Sequence, residues 1–194
     1  MITREMSPVI SVFGSHSPAP GSSLYQMARE LGFQLTEAGF TVATGGYEGT
    51  MAAVSQGAAE AGGKPIGVTS SNVEASRNAS VNRWVETEVR YDTLQDRLFH
   101  LVDDNSGMIV LEGGIGTLSE FSLAWSLIQV GEIEKRPLVL LGQLWKDVLH
   151  SFVRQEYVPD HYTRLIQIVD SPADAVTYLL AQQAGSAEIG DNDV

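Results

Sequence analysis

Met108-Ile109-Val110-Leu111-Glu112-Gly113-Gly114-Ile115-Gly116-Thr117-Leu118-Ser119-Glu120 is the stretch that decides the fold. Its first four residues are an apolar, β-branched run of the kind a buried strand requires. Phe121 to Ile128 then has the length and apolar spacing of a helix. Strand, glycine turn, helix is therefore the local order. Gly113, Gly114 and Gly116 let the backbone approach a ligand closely, and the first helical turn offers unpaired N–H groups. With the positive end of the helix dipole, those groups favour an anion such as phosphate. Glu120, one turn inside the helix, lies within reach of whatever the loop holds.

The same alternation extends in both directions. Pro8 to Gly14 reads as a first strand running into Ser15-His16-Ser17-Pro18. Leu24 to Ala38 carries an apolar stripe at helical spacing and is closed by Gly39. Phe40 to Thr44 is a second strand, followed by the glycine turn Gly45-Gly46-Tyr47-Glu48-Gly49 and a small-residue helix from Thr50 to Ala61. Lys64 to Thr69 is a third strand, and Ser70 to Arg83 a polar loop or weak helix. A short strand is expected over Val85–Tyr91, a helix over Thr93–Val102, and a buried strand over Leu138–Leu141. Beyond these, a helix spans Leu144 to Tyr157, a last strand Leu165 to Val169, and a last helix Ser171 to Gln183 with a Ser-Pro-Ala-Asp cap. This pattern predicts an α/β fold: a single Rossmann-like three-layer domain over residues 1–184, with a mainly parallel sheet. Ligands in such folds sit outside the carboxyl ends of the strands. Gly185 to Val194 is small, polar and acidic, and is expected to be a disordered tail.

Bulk properties narrow the function classes. In 194 residues there are 24 acids against 12 bases, a formal charge of −12, which argues against polymeric nucleic acid as a partner. No run of 18 apolar residues suits a membrane span, and the opening residues lack the features of a secretory signal. There are no cysteines, which removes disulfides and thiolate zinc sites and fits a cytoplasmic location. Neither a P-loop nor a G-x-G-x-x-G dinucleotide fingerprint is present, so no cofactor is expected. His16, His100, His150 and His161 do not suggest a metal site. Trp84, Trp125 and Trp145 read as core or interface residues, and Arg77 and Arg83 as cations of a solvated loop that can also close over an anion.

Gly113-Gly114-Ile115-Gly116-Thr117-Leu118-Ser119-Glu120 resembles the G-G-x-G-T-x-x-E core of the Lonely Guy (LOG) proteins, once labelled lysine decarboxylase-like. Val12-Phe13-Gly14-Ser15 is similar to that family's opening strand and loop, and Gly45-Gly46-Tyr47-Glu48-Gly49-Thr50-Met51 to its G-G-G-x-x-G-L-M element. Arg97 stands 16 residues before Gly113, the spacing of the family's arginine, and Gln129-Val130-Gly131 resembles its Q-L-G. The resemblance covers Val9 to Leu141. It implies hydrolysis of the N-glycosidic bond of a modified purine nucleoside 5′-monophosphate to free base and ribose 5-phosphate, with Arg97 and Glu120 catalytic. Gly14, Ser15, Gly45, Gly46, Met51, Gly113, Gly114, Gly116 and Thr117 would then contact the ligand, the last three cradling the phosphate. It also implies a homodimer or larger homo-oligomer, through an apolar face around Trp125 and Leu127. Molybdenum-cofactor carrier proteins, which share the fold and bind a pterin-phosphate without turning it over, supply the alternative. Four positions depart from the pattern: Glu112 stands for proline, Leu98 for a basic residue, Ser119 for an acid and Tyr47 for a third glycine. A carboxylate about 4 Å from a bound phosphate would cost on the order of 4 kcal/mol. Glu112 must therefore point away, be protonated, or meet a different ligand.

Overall fold

The computed structural model describes residues 7–190; the opening residues 1–6 and the end of the expected tail, 191–194, lie outside it. The elements run β1 (Val9–Phe13), α1 (Ser23–Glu37), β2 (Thr41–Thr44), α2 (Thr50–Glu60), β3 (Ile66–Ser70), α3 (Ser71–Arg77), β4 (Thr87–Tyr91) and α4 (Leu94–Asp103). They continue as β5 (Gly107–Val110), α5 (Ile115–Val130), β6 (Leu138–Leu141), α6 (Gln143–Phe152), α7 (Asp160–Thr163), β7 (Gln167–Val169) and α8 (Pro172–Gly190). The strands form one parallel sheet in the order β4-β3-β2-β1-β5-β6-β7. It is the Rossmann-like α/β arrangement that the alternating pattern predicts. The order reverses between β1 and β5, so the crevice beyond their carboxyl ends is where this topology places a ligand.

Helices cover both faces because the central strands are apolar on both. On β5, Ile109 belongs to the core layer shared with α1, α2 and α8. Met108 and Val110 face the opposite layer, packed by Leu101 and Val102 of α4, Phe121, Ala124 and Ile128 of α5, and Trp145 of α6. The two-residue period of a strand divides the run this way, and a one-residue slip would exchange the layers. Each fully buried Leu or Ile contributes roughly 1.5–3 kcal/mol. On one face, α1 and α2 approach so closely that only glycine fits at the crossing. A Cβ on Gly57 would lie 1.8 Å from the Arg29 carbonyl oxygen, and one on Gly32 would lie 2.1 Å from that of Val54. This close contact is what the small-residue composition of α2 provides.

Several boundaries differ from the sequence reading. α6 stops at Phe152 rather than Tyr157, because Val153 turns extended and the Val158 N–H closes a turn on the Arg154 carbonyl at 2.7 Å, returning Val158 to the core. β7 begins at Gln167, since Leu165 and Ile166 are held in turns by the carbonyls of Tyr162 and Thr163. α8 continues to Gly190, past Gly185 where the tail was expected to begin. Adding residues to an existing helix needs no new nucleation. Its start is capped as expected: the Asp174 N–H donates to Ser171 Oγ at 3.2 Å, and that hydroxyl donates to Asp174 Oδ2 at 2.6 Å. Among the described residues, no helix is long and apolar enough to cross a membrane.

Candidate functional site

Loops at the carboxyl ends of β1, β2 and β5 converge over the point where the strand order reverses. They line a cavity of about 230 Å³ together with α3, α4 and the start of α5. Its walls include Gly14, Ser15, Met51, Arg97, Gly114, Gly116, Thr117 and Glu120. Gly45, Gly46 and Gly113, also expected at the ligand, do not line it. A Cβ on Gly113 would lie 2.2 Å from Thr117 Oγ1, so its missing side chain lets the threonine hydroxyl seat on the loop. Gly114 and Gly116 face open space, leaving the main chain bare. Gly114 is the N-cap of α5 and no side chain caps the helix; within the turn, the Leu118 N–H closes on the Gly114 carbonyl at 2.9 Å. The amides ahead of Leu118 therefore offer an uncapped helix start to an anion. The start of α2 differs, because the Thr50 N–H and hydroxyl both donate to the Ser15 carbonyl, at 2.8 and 3.1 Å.

Arg97 of α4 and Glu120 of α5 meet at the floor of this cavity. One guanidinium nitrogen lies 3.7 Å from Glu120 Oε1, and both residues are buried, at 6% and 7% exposure. Arg97 Nε donates to the Val68 carbonyl at 2.8 Å, and a terminal nitrogen donates to the Gly45 carbonyl at 3.2 Å. Gly45 must be glycine here, since a Cβ would come within 2.0 Å of the guanidinium. Tyr47, the residue in place of a third glycine, supplies an aromatic ring whose centroid is 5.5 Å from the Arg97 Cζ. A cation over a ring face is a stabilising arrangement. The Tyr47 hydroxyl donates to the Ser70 carbonyl at 3.1 Å and accepts from the Ser70 N–H at 2.9 Å.

Burial pushes the Glu120 carboxyl up from 4.5 to about 7, with Arg97 and then Arg77 opposing the shift. A carboxyl whose folded value lies above its unfolded one adds stability that is complete below about 4.5 and lost as pH rises through about 7. Relative to the parent, Glu120→Gln is therefore expected to gain on the order of 3 kcal/mol between pH 4 and pH 8. Urea denaturation of both proteins at the two pH values measures this; a pH-independent difference would contradict the buried carboxyl.

Glu112 points away from the cavity. Its Oε1 accepts from the Leu144 N–H at 2.9 Å, so the carboxylate caps the start of α6 and sits against Gly142. An acid at a helix N-terminus is favourable. Leu98 lines the cavity and is half-buried, and the Ser119 hydroxyl donates back to the Ile115 carbonyl at 2.8 Å.

The segment read as a polar loop or weak helix is α3 followed by an anchored connection. Sequence reasoning missed Asn82 as its anchor. Asn82 is buried; its side-chain nitrogen donates to the Gly46 and Tyr47 carbonyls at 3.1 and 3.0 Å, and its own N–H donates to Gly46 O at 2.8 Å. Only its placement among the Asn and Ser residues of that stretch could have drawn attention to it. Arg77 lines the cavity, whereas Arg83 lies over Trp84, 4.5 Å from the ring centroid. His16 is exposed at the cavity mouth, and His100 Nδ1 is 3.0 Å from the Tyr91 hydroxyl. Trp125 and Trp145 are buried in the core, Trp125 donating to the Tyr162 carbonyl at 3.0 Å. Trp125 also lines a groove with Leu118, Phe152 and Tyr157, Leu127 is half-buried, and none of the exposed residues of α5 is charged.

A parallel sheet with bare glycine turns over the reversal of its strand order defines a Rossmann-like fold with a cavity at that edge. A family model described as "Possible lysine decarboxylase" matches residues 51–179, and the chain belongs to that family, the LOG family resembled by its motifs. The chain is 27% identical over 176 residues to a cytokinin riboside 5′-monophosphate phosphoribohydrolase of Mycobacterium tuberculosis (strain ATCC 25618 / H37Rv), covering 86% of this chain and 90% of the relative. It is equally similar, 27% over 170 residues, to a protein of the same name from Rhodococcoides fascians, covering 83% and 84%. Among solved structures, the molybdenum cofactor carrier protein of Chlamydomonas reinhardtii superposes with a TM-score of 0.66 at 26% identity, covering 90% of this chain and 99% of that one.

Proposed function

We propose that this chain is a phosphoribohydrolase that cleaves the N-glycosidic bond of a purine or modified-purine nucleoside 5′-monophosphate. The observation that carries this reading is the buried pair of Arg97 and Glu120, 3.7 Å apart beside the uncapped start of α5. The names of the two bacterial relatives support the reaction class. In this reading the phosphate rests on the amides of Gly116 and Thr117, which puts the sugar next to the carboxylate. Breaking the bond leaves positive charge at the anomeric carbon, which the ionised carboxylate stabilises while it orients water. The departing base takes the bonding electrons and a proton, and water oxygen ends on the sugar.

Incubation with a panel of nucleoside 5′-monophosphates, followed by chromatography, is expected to yield free base and ribose 5-phosphate in equal amounts. Saturable binding with no product would favour the second reading, a carrier of a nucleotide-like or pterin-phosphate ligand, for which the likeness to the Chlamydomonas carrier is the supporting observation. The uncharged face of α5 supports pairing with a second copy of the chain. Sedimentation is then expected to give a dimer or larger species at micromolar concentration, and a monomer alone would contradict the pairing.

A further inference from the structure

The cavity has two cationic side chains in its walls, and they are in opposite situations. Arg97 is buried and engaged, with its guanidinium divided among the Val68 and Gly45 carbonyls, the Tyr47 ring and Glu120. Its charge is matched by that carboxylate when ionised. Arg77 lines the same cavity from the last turn of α3, is exposed, and has no hydrogen-bonded or ion-paired partner among the described residues.

The seat of Arg77 is built. Ser70 caps α3 by accepting from the Val73 N–H, and the Tyr47 hydroxyl grips the Ser70 main chain from below. Glu74, the other charged residue of α3, is paired with Arg90 on β4 and so is turned away from Arg77. One residue, Tyr47, thus touches the guanidinium of Arg97 with its ring and the cap of the helix that carries Arg77 with its hydroxyl.

A dianionic phosphate approaching a chain of net charge −12 meets overall repulsion, so its recognition needs local positive charge. We propose that Arg77 is the residue that selects a phosphorylated ligand over its unphosphorylated counterpart, clamping the phosphate from the side opposite the α5 amides. The planar guanidinium fork suits two phosphate oxygens at once. This rests on the nucleotide reading of the site and names the side chain that makes the phosphate count.

The test is calorimetric titration of the parent, Arg77→Gln and Arg77→Lys proteins with adenosine 5′-monophosphate, ribose 5-phosphate and adenosine. Arg77→Gln is expected to weaken binding of both phosphates by roughly ten- to a hundredfold, leave adenosine unchanged, and keep the parental melting temperature. Arg77→Lys should recover part of the loss, and the difference between parent and Gln variant should shrink as salt is raised. Unaltered phosphate affinity in Arg77→Gln, or an equal loss for adenosine, would overturn this role alone. A parent protein that binds neither phosphate would overturn the nucleotide reading along with it.

Discussion

Replacing Glu120 with glutamine is expected to lower the rate of base release by roughly 10²–10⁴-fold, with little change in substrate affinity. The side chain keeps its volume, so the cavity and its glycine walls should survive. What disappears is the negative charge that the sugar needs as its bond to the base breaks. The parent should add a second signature. Because burial lifts the Glu120 carboxyl to about 7, the carboxylate is only partly available at neutral pH. The quantity kcat/KM is then expected to rise with pH and level off above about 7, and this limb should be missing from the residual activity of Glu120→Gln. Steady-state kinetics from pH 5 to 9 on both proteins measures this, and undiminished turnover in the variant would remove Glu120 from the chemistry.

Arg97→Ala carries the other large effect, and it combines function with folding. The substitution leaves the Val68 and Gly45 carbonyls without their donor and Glu120 without its counter-charge, all in a buried setting. Breaking one side of a buried ion pair costs about 3–5 kcal/mol. The variant is therefore expected both to lose base release and to denature at distinctly lower urea concentration than the parent. Arg97→Lys should regain little, since one ammonium cannot reach two carbonyls and lie along the Tyr47 ring as a planar fork does. Urea titration followed by far-ultraviolet circular dichroism, alongside an activity assay below the transition, separates the two losses. Parental stability in Arg97→Ala would contradict the buried network.

How much of this was legible beforehand depends on the range of the interaction. The alternation of strands and helices is local, and so is the glycine turn that opens α5; both are readable from spacing alone. That Arg97 and Glu120 meet depends on α4 and α5 packing together on one face of the sheet, a tertiary fact that no local pattern carries. The ordered set of motifs anticipated it only through resemblance. Glu112 shows the limit most clearly. Its place next to the glycines in sequence points it at the phosphate, yet its carboxylate turns to the start of α6, which arrives 32 residues later. In sequence Tyr47 is only a lost glycine, because the pocket its ring occupies is assembled from Arg97 and Ser70, on other elements. The end of α6 was misplaced for the same reason, since the pull on Val158 comes from the core.

The most direct measurement is a crystal structure of the Glu120→Gln protein with adenosine 5′-monophosphate. The phosphate is expected on the first amides of α5, with the sugar–base bond beside residue 120 and Arg97. A nucleotide seated with its phosphate away from α5, or its sugar out of reach of both side chains, would contradict the account.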